Sequence, residues 1–164
     1  MAVQGAAVGG PDAVVREPVT NAGGVPGVDK LPFRKPFPLV LDKTAIAIGT
    51  GKLLSPASHK AMVSKARVGL GEAGVPGCPT CRKLDESYTY GIGVVVSGDW
   101  LLQNPAFSGY SAVEAYLPSR KIAVSVAVTY EPEAYDETGE VRNQAVQLFR
   151  DIGAVVAPDD APPR

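Results

Sequence analysis

Ten residues, Lys121 to Tyr130, constrain the fold more than any other part of the chain. Ile122, Val124, Val126 and Val128 alternate there with Ala123, Ser125, Ala127 and Thr129. A period of two puts the large β-branched side chains on one face of a strand and the small ones on the other. A helix would scatter the same residues around its circumference. The segment therefore reads as a central strand with one face under a helix. Two further extended segments precede it. Tyr88 to Val96 (YTYGIGVVV) is rich in β-branched and aromatic residues, and Gly98-Asp99 supplies a turn after it. Ser111 to Leu117 forms the next strand and reaches the period-two segment through Pro118-Ser119-Arg120.

Helix signals flank these strands. Asp42 is placed to cap a short helix, DKTAIAI, that Gly49 and Gly51 end. Ser55-Pro56 is a helix start, with serine at the N-cap and proline at the first helical position. The helix that follows, Pro56 to Ala66, carries His59, Met62, Val63 and Ala66 on one face. A last helix runs from Gly139 to Ile152, capped by Thr138. Val141, Ala145, Leu148, Ile152 and Val155 form its apolar stripe, and Gly153 takes the left-handed position after it. Strands in close succession followed by a packing helix give an α+β fold, an antiparallel sheet packed by helices on one or both faces.

The chain has 164 residues, of which 45% are apolar, enough for one domain with a sizeable core. Residues 1–31 are punctuated by Gly9-Gly10-Pro11, Gly23-Gly24 and Pro26-Gly27, and read as a flexible Gly/Pro-rich segment. Residues 32–157 form the domain, and 158–164 (PDDAPPR) read as a frayed tail. Leu31 to Leu41 (LPFRKPFPLVL) holds three prolines and reads as an extended strap across the core, or else as a Pro-rich ligand of a recognition module.

Composition narrows the function. Sixteen Lys plus Arg stand against 17 Asp plus Glu, a net charge of -1, which leaves no basic face for a nucleic acid. No run approaches the roughly 18 apolar residues of a membrane span, so no transmembrane segment is expected. No Lys or Arg precedes the short apolar stretch Met1 to Gly10, so no export signal is read there and the compartment stays open. With one histidine and two cysteines, no metal site and no cofactor is called for.

Four motifs fail on their context. Gly69-Leu70-Gly71-Glu72-Ala73-Gly74 spells GxGxxG, but Pro76-Gly77 follows where a helix must open to face a pyrophosphate. Gly51-Lys52 lacks the upstream glycine of a phosphate loop, and Leu53 stands where Ser or Thr must reach magnesium. Cys78-Pro79-Thr80-Cys81 is a CxxC in a Gly/Pro loop, short of the four ligands of a structural zinc. A local disulfide or two idle thiols remain open for it. His59 has no Ser or Cys that the sequence can place beside it.

Three pieces of the chain carry a resemblance. They are Gly51-Lys52-Leu53-Leu54-Ser55-Pro56, then Tyr90-Gly91-Ile92-Gly93, then Gly109-Tyr110-Ser111 followed by Tyr116-Leu117-Pro118. In this order and spacing the chain from about Leu41 to the terminal helix resembles the C-terminal half of the β-lactamase-related serine hydrolases. That family comprises penicillin-binding D-alanyl-D-alanine carboxypeptidases, class C β-lactamases and related esterases. The resemblance implies the C-terminal part of the β-lactamase/transpeptidase-like fold. It also implies acyl-transfer chemistry, in which an S-x-x-K serine attacks an amide or ester carbonyl and a Y-x-N tyrosine helps move protons. A third motif, K-[ST]-G or H-x-G, lines the opposite wall of the cleft.

The chain departs from that pattern. No serine is followed three residues later by lysine, and none of the six tyrosines is followed two residues later by asparagine. At the position of the third motif stand Gln103, Asn104 and Pro105. Glutamine can donate a hydrogen bond but brings no charge, and proline has no N–H to offer. These three are the candidate substrate-contacting residues, and no catalytic residue is assigned. The expectation is a C-terminal portion of such a hydrolase, inactive alone. Its partners would be a missing N-terminal half or a second copy, because losing the family's N-terminal strands leaves a sheet edge and an apolar face uncovered. The alternative is a non-catalytic binding or regulatory module derived from that fold.

Overall fold

The computed structural model describes residues 2–9, 14–17, 37–78, 81–107, 109–137, 139 and 141–164. In chain order the elements are β1 (Ala2–Gly9), β2 (Val14–Glu17), α1 (Phe37–Gly49), α2 (Pro56–Met62), β3 (Thr89–Tyr90), β4 (Val95–Ser97), β5 (Trp100–Gln103), β6 (Ala106–Phe107), β7 (Tyr110–Leu117), β8 (Ile122–Thr129) and α3 (Gln144–Val156).

The strands form one antiparallel sheet in the order β2-β1-β8-β7-β5-β4-β3, and the architecture is α+β. Strand β6 pairs with β7 in the same register as β5, since Gln103 faces Glu114 and Ala106 faces Ser111. The two are one strand interrupted at Asn104-Pro105, because Pro105 has no N–H for the ladder. Its carbonyl still accepts from Ala112 N–H at 2.9 Å.

The β7–β8 hairpin sets both faces. Val113, Ala115 and Leu117 share one face with Val124, Val126 and Val128, and α3 covers them with Ala145 and Phe149. On the opposite face Tyr116 and Ala123 meet Ala45 and Ile46 of α1. Nearer the other edge of the sheet, Val94, Val96 and Leu101 receive Ile48, Met62 and Val63. The large/small alternation of β8 therefore serves two helices, since Ala123 through Val128 are all buried. Small residues on the α1 side let that helix approach closely. A Cβ built on Gly49 would stand 2.2 Å from the Tyr116 ring.

Local signals explain the helix ends. Gly51, at φ +65°, follows α1; its N–H donates to Ile48 O at 3.0 Å and Lys52 N–H to Ala47 O at 3.2 Å, the paired bonds of a Schellman end. Ser55 caps α2, and its hydroxyl oxygen accepts from Ser58 N–H at 3.2 Å. Asn143 caps α3 through Val146 N–H at 3.3 Å. Tyr130 steadies the same end, accepting from Gln144 N–H at 3.0 Å.

Several expectations are corrected. Helix α1 begins at Phe37, so Phe37 to Leu41 are helical where an extended strap was read. Pro38 sits in the first turn, where a missing N–H costs nothing. The rest of that strap, 31–36, lies outside the described residues, as does Thr138, read as a cap. Asp42 is inside α1 and caps nothing. Helix α2 stops at Met62, short of Ala66. The segment YTYGIGVVV is two strands, β3 and β4, because Gly91 to Val94 turn the chain back and Gly91 N–H donates to Val94 O at 2.8 Å. Glycine is needed at this point, where a Cβ would lie 1.9 Å from Met62 O.

Both ends of the chain extend beyond the expected domain. Residues 2–9 and 14–17, within the segment read as flexible, form β1 and β2. Strand β1 lies along the outer edge of β8, so that edge is not left bare. At the other end, α3 runs through Gly153 without a left-handed residue there, and Val155, read as part of the apolar stripe, is 80% exposed. The tail read as frayed docks on the sheet. Pro162 is buried against Gly153, where a Cβ would stand 2.4 Å from the proline ring. Trp100 Nε1 donates to Asp160 O at 2.7 Å, and Arg120 pairs with Asp160 at 2.8 Å and Asp159 at 3.1 Å.

Trp100 and Phe149 meet edge to face, with centroids 5.2 Å apart, and both are fully enclosed. Replacing Phe149 by alanine is expected to lower unfolding stability by about 3–5 kcal/mol. Leu53→Ala, at an exposed turn position, is expected to change it by less than about 0.5 kcal/mol. Urea denaturation of both variants checks the contrast.

Candidate functional site

Gln103, Asn104 and Pro105 lie where β5 breaks into β6, beside the Gly91–Val94 turn. Alternation sends Gln103 and Asn104 to opposite faces of the sheet. Gln103 shares its face with Glu114, its register partner on β7, and its Nε2 donates to Gly93 O. Asn104 Oδ1 accepts from Tyr88 OH at 3.4 Å. Pro105 is exposed. The structure thus brings Gln103 and Asn104 into contact with the β3–β4 hairpin and uses their side chains to brace it.

Tyr88 is the centre of that brace on one face. Its hydroxyl lies 3.2 Å from that of Tyr90, the two rings meet edge to face at 5.6 Å, and Arg82 stacks over the Tyr88 ring at 4.3 Å. Burial, reinforced by the Tyr90 hydroxyl, pushes the Tyr88 phenol up to about 12. Such a phenol keeps its proton at neutral pH and cannot serve as a base. Asp85 folds the turn before it, accepting from Ser87 Oγ at 2.5 Å, Ser87 N–H at 2.8 Å and Tyr88 N–H at 3.1 Å. The Ser87 hydroxyl above all holds the Asp85 carboxyl below the usual carboxylate range.

The opposite face holds two carboxyl groups under α1. Asp42 is buried and accepts from Ser125 Oγ at 2.6 Å. Glu114 stands directly across the hairpin from Ser125. It lines a small cleft with Gln103, Ala45, Ile48 and Val94, and its Oε2 is buried without a hydrogen-bond partner among the described residues. Burial raises both carboxyls above their ordinary values. Neither residue was singled out as a site from the sequence, although each strand carries the signal: Glu114 is the lone charge in YSAVEAYL and Ser125 the lone hydroxyl within IAVSVAV.

The remaining sequence candidates are not brought to this site. His59 packs beneath Gly51, where a Cβ would lie 2.5 Å from its Cγ, and its Nε2 is buried without a partner among the described residues. Gly69, Gly71 and Gly74 all have positive φ in a loop with no helix opening after it. Lys52 and Leu53 lie exposed in the α1–α2 turn. Cys78 and Cys81 are joined by a disulfide. Among the described residues, no group of three or more His, Cys, Asp or Glu could hold a metal, and no helix is long and apolar enough to cross a membrane.

Chemically the described residues of the site can donate and accept hydrogen bonds. Ser87 pairs with Asp85, Ser111 with Tyr130 at 2.7 Å, and Ser125 with Asp42, so these hydroxyls are engaged in bonds of the fold and meet no lysine or histidine there. No protein-family model matches the chain, and no curated protein matches it.

The two raised carboxyls bind a proton more tightly in the folded chain than in the unfolded one. Their contribution is fully present below the ordinary values of 3.8 and 4.5 and is lost as pH rises through the raised ones. Exposed Asp85 acts in the opposite sense, its contribution being lost as pH falls through its lowered value. Glu114→Gln isolates one group. Its urea midpoint is expected to match the parent at acid pH and to exceed it increasingly as pH rises through the raised Glu114 value. A constant difference across that range would contradict the assignment.

Proposed function

We propose that this chain is the C-terminal portion of a β-lactamase-related serine hydrolase that does not acylate by itself. The observation that carries the reading is where the resembling segments fall. GKLLSP spans the turn between helices α1 and α2, YGIG is the turn from β3 towards β4, and GYSAVEAYLP is β7, which lies in the same sheet with β5 between it and β4. Gln103-Asn104-Pro105 then sits at the end of β5, between YGIG and the β7 hairpin.

In the parent family this wall holds the acyl part of a substrate while a serine across the cleft attacks it. Here the wall keeps hydrogen-bonding groups and lacks the rest. Gln103 carries no charge and its amide is engaged with Gly93 O. Pro105 offers no N–H. The serine–lysine pair and the tyrosine of the family have no counterpart in the sequence. Without a base to take its proton, a serine hydroxyl is a poor nucleophile.

A second reading, a self-standing binding or regulatory module on the same fold, is favoured by one specific feature. The edge of β8 is covered by β1 of the same chain, and both faces of the hairpin are covered by helices.

Incubation with a fluorescent penicillin and with a fluorophosphonate serine probe, followed by intact-mass measurement, is expected to give no adduct and no hydrolysis above the buffer rate. A stoichiometric adduct on any serine would overturn both readings. A sharp melt whose midpoint does not move with concentration would select the self-standing module, and a broad one the fragment.

A further inference from the structure

The CxxC motif is absorbed by none of the foregoing, and its surroundings are unusual for a structural disulfide. The loop from Gly69 to Leu84 is closed at its neck by two backbone bonds, Gly69 N–H to Leu84 O and Leu84 N–H to Leu70 O, both 2.8 Å. Lys65 on Glu86, at 3.1 Å, closes it further. The loop is therefore held without help from its sulfurs.

Cys78 and Cys81 are only three residues apart, and Cys81 N–H already donates to Cys78 O at 3.1 Å. The bond joins no two elements of the fold. A ring this small removes the least entropy from the unfolded chain, so stabilisation is a poor account of it. Neither cysteine belongs to an apolar cluster, and both are partly exposed. A Cβ on Gly74 or Gly77 would meet nothing within 4 Å, so the chain beside the disulfide is uncovered. Arg82 and Lys83, both exposed, follow Cys81 directly. Arg82 also stacks on Tyr88 and acts on Asp85. Positive charge beside a cysteine favours its thiolate, the form in which sulfur leaves and attacks.

We propose that Cys78 and Cys81 are a reversible thiol–disulfide exchange site whose substrates are accessible thiols. An incoming thiolate attacks one sulfur and forms a mixed disulfide. The Cys78–Cys81 bond breaks, and the other sulfur departs as a thiolate that takes a proton from solvent. A second thiol of the reductant attacks the mixed disulfide, frees the first cysteine and leaves as the oxidised reductant. Two electrons and two protons pass to the chain for each pair of thiols oxidised.

The test uses the full chain with dithiothreitol and with glutathione, quenched by alkylation and read by mass. In the folded chain the pair is expected to be reduced at a rate within about tenfold of that in the urea-unfolded chain, since access to the sulfur sets the rate. The reduced chain is expected to keep its cooperative melt and to reform the bond with oxidised glutathione. Slower reduction than that, or loss of the melt on reduction, would make the bond a structural one and overturn the proposal. Cys78→Ser and Cys81→Ser divide the substrate class. With oxidised glutathione, a glutathione adduct on the remaining cysteine of either variant, with one reduced glutathione released, includes monothiols; no adduct on either variant, with the parent disulfide still reduced by dithiothreitol, restricts the site to dithiols.

Discussion

The register of the β7–β8 hairpin is the constraint on which the rest of the molecule depends. Val113 opposes Val126 and Glu114 opposes Ser125, and each strand is buried on both sides. A slip of β8 by one residue would turn Ser125 towards α3 and Val126 towards α1. Phe149 would then face a polar group, and Asp42 would lose the Ser125 hydroxyl. Both helices that cover the sheet are thus tied to a single alignment. The alternation of large and small residues makes that alignment the only one that fills both layers.

The same hairpin explains what the candidate site can and cannot do. Pairing with β7 fixes β5, and β5 ends in Gln103-Asn104-Pro105 against the β3–β4 turn. Side chains there lie on opposite faces and are each engaged by the hairpin, Gln103 by Gly93 O and Asn104 by Tyr88. Proton transfer needs a group that titrates near neutrality. Glutamine and asparagine do not titrate, and Tyr88 is driven the wrong way by burial. Holding a chain or a carbonyl by hydrogen bonds is within reach of such a wall.

What the sequence made legible was local. The period-two strand and the Ser55 cap express patterns a few residues long and appear where they were read, whereas the last helix, read from Gly139 to Ile152, runs from Gln144 to Val156 with Asn143 as its cap and leaves Val141 outside. What it hid was set by contacts distant in the chain. YGIG reads as part of one strand until Met62 O is seen pressing on Gly91. The tail looks frayed because Pro and Asp predominate, yet Trp100, sixty positions away, supplies the donor for Asp160 O. Asp42 looks like a cap because Asp favours that position, and only the β8 register places a hydroxyl beneath it. Of the site, Gln103, Asn104 and Pro105 were reached through the resemblance, whereas Glu114 needed the hairpin alignment to be noticed.

Edges decide how such a sheet behaves on its own. A bare central strand offers a row of N–H and C=O groups to any neighbour, and β8 is long and apolar enough to be hazardous in that role. The chain meets this with its own β1, leaving the outermost positions to β2 and β3, which have four and two residues. Short edges present few unpaired groups. Together these features close the long edge of the described sheet with a strand of the same chain and leave only short strands outermost.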